Sequence, residues 1–211
     1  MTTFVVTGQQ TGSGKTTIAM HLCEGLRKNT KTALLHVTNK SCEFEWAKQA
    51  NSNFLFEHLN ISDDHTEILE IRLKQLIYEH GHLVVDISGH DHAALRTVLK
   101  YADKILMPTT GIEQDVKYVS ELIALGIALK PFHPELQLYI LFNKVPSETT
   151  QAAIEYNYQL LQDNPNATFL KTIIYYDQDI EQLMQSNMNI WERLSQKNNM
   201  IDAFINELLE T

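Results

Sequence analysis

The residues with the clearest chemical potential are Gly8-Gln9-Gln10-Thr11-Gly12-Ser13-Gly14-Lys15-Thr16-Thr17. An apolar run, Thr3–Thr7, precedes them and a helical pattern follows. Gly12 and Gly14 let backbone N–H groups turn inward around a phosphate. A helix that opens at Lys15 adds the positive end of its dipole. Lys15 is placed to reach the β- and γ-phosphates of a nucleotide, the Thr16 hydroxyl to ligate Mg²⁺, and Thr17 to donate to the α-phosphate. The usual phosphate-loop pattern needs a glycine five residues before Gly14, where this chain has Gln9. The plainer alternative is a Gly/Ser-rich turn with an incidental lysine. The flanking strand and helix favour the phosphate loop.

The elements that must position this loop follow a regular alternation. Short, continuous apolar runs predict strands at Thr3–Thr7, Ala33–Val37, Phe54–Phe56, Leu83–Ile87, Lys104–Met107, Gln137–Phe142 and Thr168–Ile174. Helical patterns cover Lys15–Lys28, Asp63–Glu79, His92–Tyr101, Gln114–Leu129, Glu148–Gln162, Asp177–Gln185 and Asn199–Leu209. In the second of these, Ile68, Leu69, Leu73, Leu76 and Ile77 fall on one stripe. In the last, Ile201, Phe204, Ile205, Leu208 and Leu209 form another, fit to dock on the core. Strand then helix, repeated, predicts an α/β fold in three α/β/α layers around a mainly parallel sheet of about seven strands. Such sheets bind ligands beyond the carboxyl ends of their strands.

Composition sets the outer bounds. The chain has 211 residues, and 17 Lys plus Arg against 26 Asp plus Glu give a formal net charge of −9. With no repeat or low-complexity linker, residues 1–211 read as one domain. The acidic balance argues against a surface that coats nucleic acid, but not against an anion held locally by backbone amides. Cys23 and Cys42 are too few for a disulfide framework or a zinc site, and they read as reduced cytoplasmic thiols. No cleaved leader and no membrane span is expected. His80 and His82, and His90 and His92, bracket one strand at opposite ends, too far apart to share an ion.

The loop resembles the deviant Walker A segment of the ParA/MinD superfamily, Lys-Gly-Gly-x-Gly-Lys-Thr-Thr, matched here by Gln10-Thr11-Gly12-Ser13-Gly14-Lys15-Thr16-Thr17. Leu83-Val84-Val85-Asp86-Ile87-Ser88-Gly89 resembles the family's carboxylate-ended strand and second switch. Leu106-Met107-Pro108, Asp115 and Asn143-Lys144 fall in the family's order. The resemblance implies a P-loop fold of the SIMIBI class that binds ATP with Mg²⁺ and forms ATP-dependent homodimers. It also implies that Asp86 holds a Mg²⁺-bound water, that Gly89 senses the γ-phosphate and that Asn143 contacts adenine. As structural alternatives, Asp86 is a strand-end turn residue and Asn143 a loop cap.

Three departures bear on catalysis. The family's signature lysine, which reaches the partner's phosphates, is Gln10 here. The two aspartates that end its second strand align with Val37 and Asn39, and Asn39 keeps a carboxylate's shape without its basicity. Thr11 replaces a glycine. Nucleotide binding is therefore expected with weak or altered hydrolysis, and Lys40 could restore a positive charge. The expected role is plasmid partition, plasmid stability or conjugative DNA positioning, through a plasmid-encoded DNA-binding adaptor or a relaxosome protein. Direct non-specific DNA binding is disfavoured, because the C-terminal stretch is acidic. Two rivals stand beside this. A dethiobiotin synthetase-like ligase fits Thr7 to Thr16 but lacks that enzyme's Gly-Tyr-Lys-Pro lysine. The other is an inactive nucleotide-binding adaptor.

Overall fold

The structure is a computed structural model and describes residues 1–38, 54–61, 66–89, 92–149, 151–162, 166–179, 182 and 199–210. Seven strands form one sheet: β1 (Thr2–Gly8), β2 (Thr32–Thr38), β3 (Leu55–Asn60), β4 (His82–Ser88), β5 (Lys104–Thr109), β6 (Gln137–Val145) and β7 (Thr168–Tyr175). Their order is β3-β2-β4-β1-β5-β6-β7, and every described pairing is parallel. The described helices are α1 (Lys15–Leu26), α2 (Thr66–Glu79), α3 (His92–Leu99), α4 (Glu113–Leu129), α5 (Gln151–Gln162) and α6 (Asn199–Glu210). The three-layer α/β/α architecture expected from the sequence is present, and the sheet is parallel throughout. The predicted helix over Asp177–Gln185 lies mostly outside the described residues.

Strand alternation divides the core in two. Ala33, Leu35, Val37, Leu83, Val85 and Ile87 pack with α2, α3 and α4 on one face. Phe4, Val6, Leu34, Val84 and Leu106 pack with α1 and α6 on the other. Within α2, Leu69, Leu73 and Leu76 are fully buried, but Ile68 is 54% exposed. It lies at the margin of the predicted stripe, a turn's edge away from the line that meets the sheet. In α6, Phe204, Ile205 and Leu208 are buried and Leu209 is exposed. No helix among the described residues is long and apolar enough to cross a membrane.

The strand order creates the binding crevice. From β1 the chain runs outward to β2 and β3, then returns through β4 to build β5, β6 and β7 on the other side. The loop after β1 therefore opens where the winding reverses, the place where open α/β sheets take ligands.

Helix α1 beneath that loop carries a buried histidine. The His21 Nδ1 lies 2.6 Å from the Thr17 carbonyl, so Nδ1 carries the proton. Burial pushes its pKa down to about 4, against the opposing Thr17 bond and the Glu24 charge. The unfolded chain therefore binds a proton near 6.5 that the folded chain refuses until about 4. This contribution to stability is lost as pH falls through that window, at a slope approaching 1.4 kcal/mol per pH unit. His21→Leu is expected to flatten the loss by about one proton, as read from urea unfolding at a series of pH values.

Candidate functional site

The loop between β1 and α1 has the backbone shape its glycines predict. Gly12 and Gly14 take φ +87 and +84, left-handed values that a side chain disfavours. Gly14 is the N-cap of α1, and its carbonyl accepts from Ile18 N at 2.9 Å. The N–H groups of the helix's first turn have no helical acceptor and point back into the loop. A Cβ on Gly12 would meet nothing within 4 Å, so the space above the loop is open. A loop open at Gly12, with the N–H donors of a helix start and one ammonium beside it, suits a phosphate chain.

That ammonium belongs to Lys15. Its Nζ folds back to donate to the Gln10 carbonyl at 2.6 Å, and Ser13 Oγ donates to the same oxygen at 3.2 Å. Burial lowers the Lys15 pKa, while the charges of Asp86 and Asp115 oppose the shift. Thr16 and Thr17 occupy the first turn of α1. Thr11 is exposed at the tip of the loop.

The charges of two buried carboxylates, Asp86 and Asp115, act on the lysine. Asp86 is 2% exposed near the end of β4, in register with Val6 of β1 and with His36 of β2. His36 Nδ1 lies 2.7 Å from Asp86 Oδ2. Val37, aligned with the family's first aspartate, packs on the opposite face of the sheet. The face that carries Asp86 is occupied by His36. Asp115, in the first turn of α4, accepts from Thr110 N at 2.8 Å and Thr110 Oγ1 at 2.6 Å. The Gln10 amide rests on this carboxylate. With its nitrogen turned toward it, as the hydrogen bonding requires, Gln10 donates to Asp115 Oδ2 at 3.0 Å.

Three residues approach the loop from other strands or their ends. Asn143, buried near the end of β6, donates from Nδ2 to the Ser13 carbonyl at 2.7 Å, so its amide braces the loop. Lys144 follows with φ +56, uncommon for a residue with a Cβ. Its Cε lies 3.6 Å from the place a Gly14 Cβ would occupy. From β4, Gly89 N donates to the Gly8 carbonyl at 3.1 Å. A Cβ on Gly89 would stand 2.9 Å from Gln9 Cγ and 3.0 Å from the backbone of Gln9 and Gly8. Gly89→Ala should therefore push the segment after β4 off the loop and cost about 1–3 kcal/mol as an overpacking change. A lowered urea midpoint at unchanged m-value would show it, and an unchanged midpoint would refute it.

The structure thus brings Gln10, Gly12, Ser13, Gly14, Lys15, Thr16, Thr17, Asp86, Gly89 and Asn143 to one end of the sheet, around one loop. Asn39, Lys40, His90 and Asp91 lie outside the described residues. His80 and His82 stand at the opposite end of β4, where His80 Nδ1 donates to the Leu76 carbonyl at the end of α2. Sequence reasoning passed over His36, whose one signal is a lone histidine inside Leu34-Leu35-His36-Val37. It also passed over the left-handed Lys144, which has no local signal.

A parallel sheet wound both ways from β1, with a glycine-turned loop and a lysine at its switch point, defines the P-loop nucleotide-binding class. The profile of the CobQ/CobB/MinD/ParA nucleotide-binding domain matches residues 4–190, and the chain belongs to that family. No curated protein sequence matches it significantly. Apo McdA of Cyanothece has the same fold, with a TM-score of 0.71 at 14% identity over 99% of both chains. An ATP complex of a variant of that McdA gives 0.69 at 16%, covering 99% of this chain and 96% of that one. A Borrelia burgdorferi protein described as a plasmid partition protein, bound to AMPPNP, gives 0.66 at 14% over 100% and 99%. At these identities the likeness is one of fold.

Proposed function

We propose that this chain is a ParA-like ATP-binding protein, a single nucleotide-binding unit over residues 1–211. In this reading it acts in the cytoplasm as a nucleotide-switched homodimer, in plasmid partition, plasmid stability or conjugative DNA positioning. The observation that carries the reading is the open loop built from Gly12, Gly14 and Lys15 at the switch point, with the buried Asp86 carboxylate beside its lysine. Family membership supports nucleotide binding, and the ATP and AMPPNP complexes of proteins with this fold support ATP as the ligand. In this reading backbone N–H groups of the loop and Lys15 hold the phosphates, Asn143 serves the adenine, and Gly89 follows the γ-phosphate. Thr16 and Asp86 would hold Mg²⁺, which when bound offsets the charge of the β- and γ-phosphates.

Hydrolysis is weak in this reading. Gln10 brings no positive charge to the position where the family uses a lysine. Its amide is engaged by Asp115 within its own chain. Cargo is reached through a DNA-binding adaptor or a relaxosome protein, in keeping with the net charge of −9.

Calorimetry with ATP and ADP on the wild type and Lys15→Met tests the binding. Size exclusion with ATP against ADP tests the switch. Affinity in the wild type that is weakened in Lys15→Met, and a dimer with ATP alone, are expected. Absence of affinity for either nucleotide would remove the reading. Turnover equal to that of a relative with the full catalytic set, unchanged by Gln10→Ala, would remove the weak-hydrolysis part.

A further inference from the structure

We propose that His36 is a positioning residue that fixes the Asp86 carboxylate, committing Oδ2 to its own ring and leaving Oδ1 for the hydrated divalent cation of a bound nucleotide. The inference rests on the nucleotide reading above and adds to it a residue that the ParA-type motif does not contain.

Three side chains form one rung across adjacent strands. His36 of β2 is in register with His58 of β3 on one side and with Asp86 of β4 on the other. All three share the face of Leu34, Phe56 and Val84, which packs toward α1. The His36 and His58 rings stack with centroids 5.4 Å apart and planes 21° from parallel. The His36–Asp86 bond measures 2.7 Å between side chains only 11% and 3% exposed. That is the length of a charge-assisted bond. A carboxylate only accepts, so Nδ1 carries the hydrogen, and the ring's tautomer and plane are both set.

The pair has no evident purpose as core. β2 is buried along its whole length, and its neighbours Leu34 and Leu35 show what packing alone selects there. Buried charged pairs are often matched or exceeded in stability by apolar pairs of similar volume. The effect of this pair is on the carboxylate: without His36, Asp86 would be a buried anion free to rotate toward Lys15, whose pKa already registers its charge. With His36, one oxygen is tethered away from the loop and the orientation of the other is fixed. Outer-shell partners of this kind hold ligating carboxylates in many metal sites, and losing one costs about 10–100-fold in metal affinity.

The test is the Mg²⁺ dependence of mant-ATP binding, titrated from EDTA, in the wild type and three variants. His36→Leu removes the donor at similar volume. His36→Asn keeps an N–H where Nδ1 stands. His36→Gln keeps a donor but moves it one bond outward, and it serves should the leucine variant fail to fold. His36→Leu and His36→Gln are expected to raise the half-saturating Mg²⁺ by about 10–100-fold, with mant-ATP affinity in EDTA unchanged. His36→Asn is expected to restore the wild-type midpoint. Leucine and glutamine variants with the wild-type midpoint would overturn the proposal. So would an equal loss in EDTA and in Mg²⁺, or an asparagine variant no better than leucine. A wild type that binds no mant-ATP rejects the nucleotide reading and this inference together. A wild type that binds it with Mg²⁺ dependence, beside unmoved variants, rejects this inference alone.

Discussion

Gly14→Ala is expected to destabilise the protein by about 2–5 kcal/mol and to abolish nucleotide binding, through two separable costs. Gly14 sits at φ +84 and ψ 19 as the N-cap of α1. An L-residue pays about 1–2 kcal/mol to remain left-handed. The added Cβ would also stand 2.3 Å from Asn143 Nδ2, a separation no side chain tolerates. Asn143 must then withdraw, and the Ser13 carbonyl loses its donor from across the sheet. A buried acceptor left unsatisfied costs about 1–3 kcal/mol. Against a total stability of about 5–15 kcal/mol the sum is large. Urea unfolding measures it, and calorimetry with ATP measures the lost binding. A double-mutant cycle separates the parts. In an Asn143→Ala background the clash is gone, so Gly14→Ala should cost less than in the wild type by about 0.5–3 kcal/mol. An identical cost in both backgrounds would show that Asn143 does not meet Gly14.

What the sequence reveals of this site depends on distance along the chain. The loop of residues 8 to 17 is contiguous, so its glycines, lysine and threonines announce it together. The strands are readable because a parallel sheet buried on both faces needs unbroken apolar runs. Most of their ends extend one to three residues further than predicted, as into Thr2, Gly8, His82 and Ser88 and from Phe142 to Val145, where residues outside the apolar runs still pair. β3 was the least visible. Only Phe54–Phe56 reads as a strand, yet pairing runs to Asn60, because an edge strand is half exposed and tolerates Glu57 and His58. The contacts that brace the site lie beyond local pattern. His36 meets Asp86 only because β4 inserts beside β2, and Asn143 meets Ser13 across 130 residues. Strand order decides both, and no window of sequence encodes it. Lys144's left-handed backbone is equally non-local, since it falls inside β6 where the pairing with β7 shifts register between Asn143 and Val145.

Lys15→Met is the second large effect, and its signature is lost affinity without lost stability. The ammonium already lies within the loop, donating to the Gln10 carbonyl at 2.6 Å. Triphosphate binding asks it to exchange that neutral acceptor for anionic oxygens, a stronger partner. Losing a hydrogen bond to a charged group costs about 1.5–3 kcal/mol, or roughly 10–150-fold in affinity. ATP and ADP should suffer more than AMP, which lacks the phosphates the lysine reaches. Stability should move the other way. Burial lowers the Lys15 pKa despite Asp86 and Asp115, so folding disfavours the charged lysine on balance. The penalty is present at neutral pH and fades as pH rises through the lowered folded value toward 10.5, where the unfolded chain also loses its proton. Lys15→Met removes the penalty while keeping the aliphatic stem beside Gly8. Its apo form should therefore unfold at a urea midpoint no lower than the wild type at pH 7, and the wild type should gain on it at alkaline pH. Equal ATP affinity in the two proteins would show that Lys15 does not reach the phosphates. A collapse in apo stability would show that the ammonium serves mainly to hold Asp86 and Asp115 together.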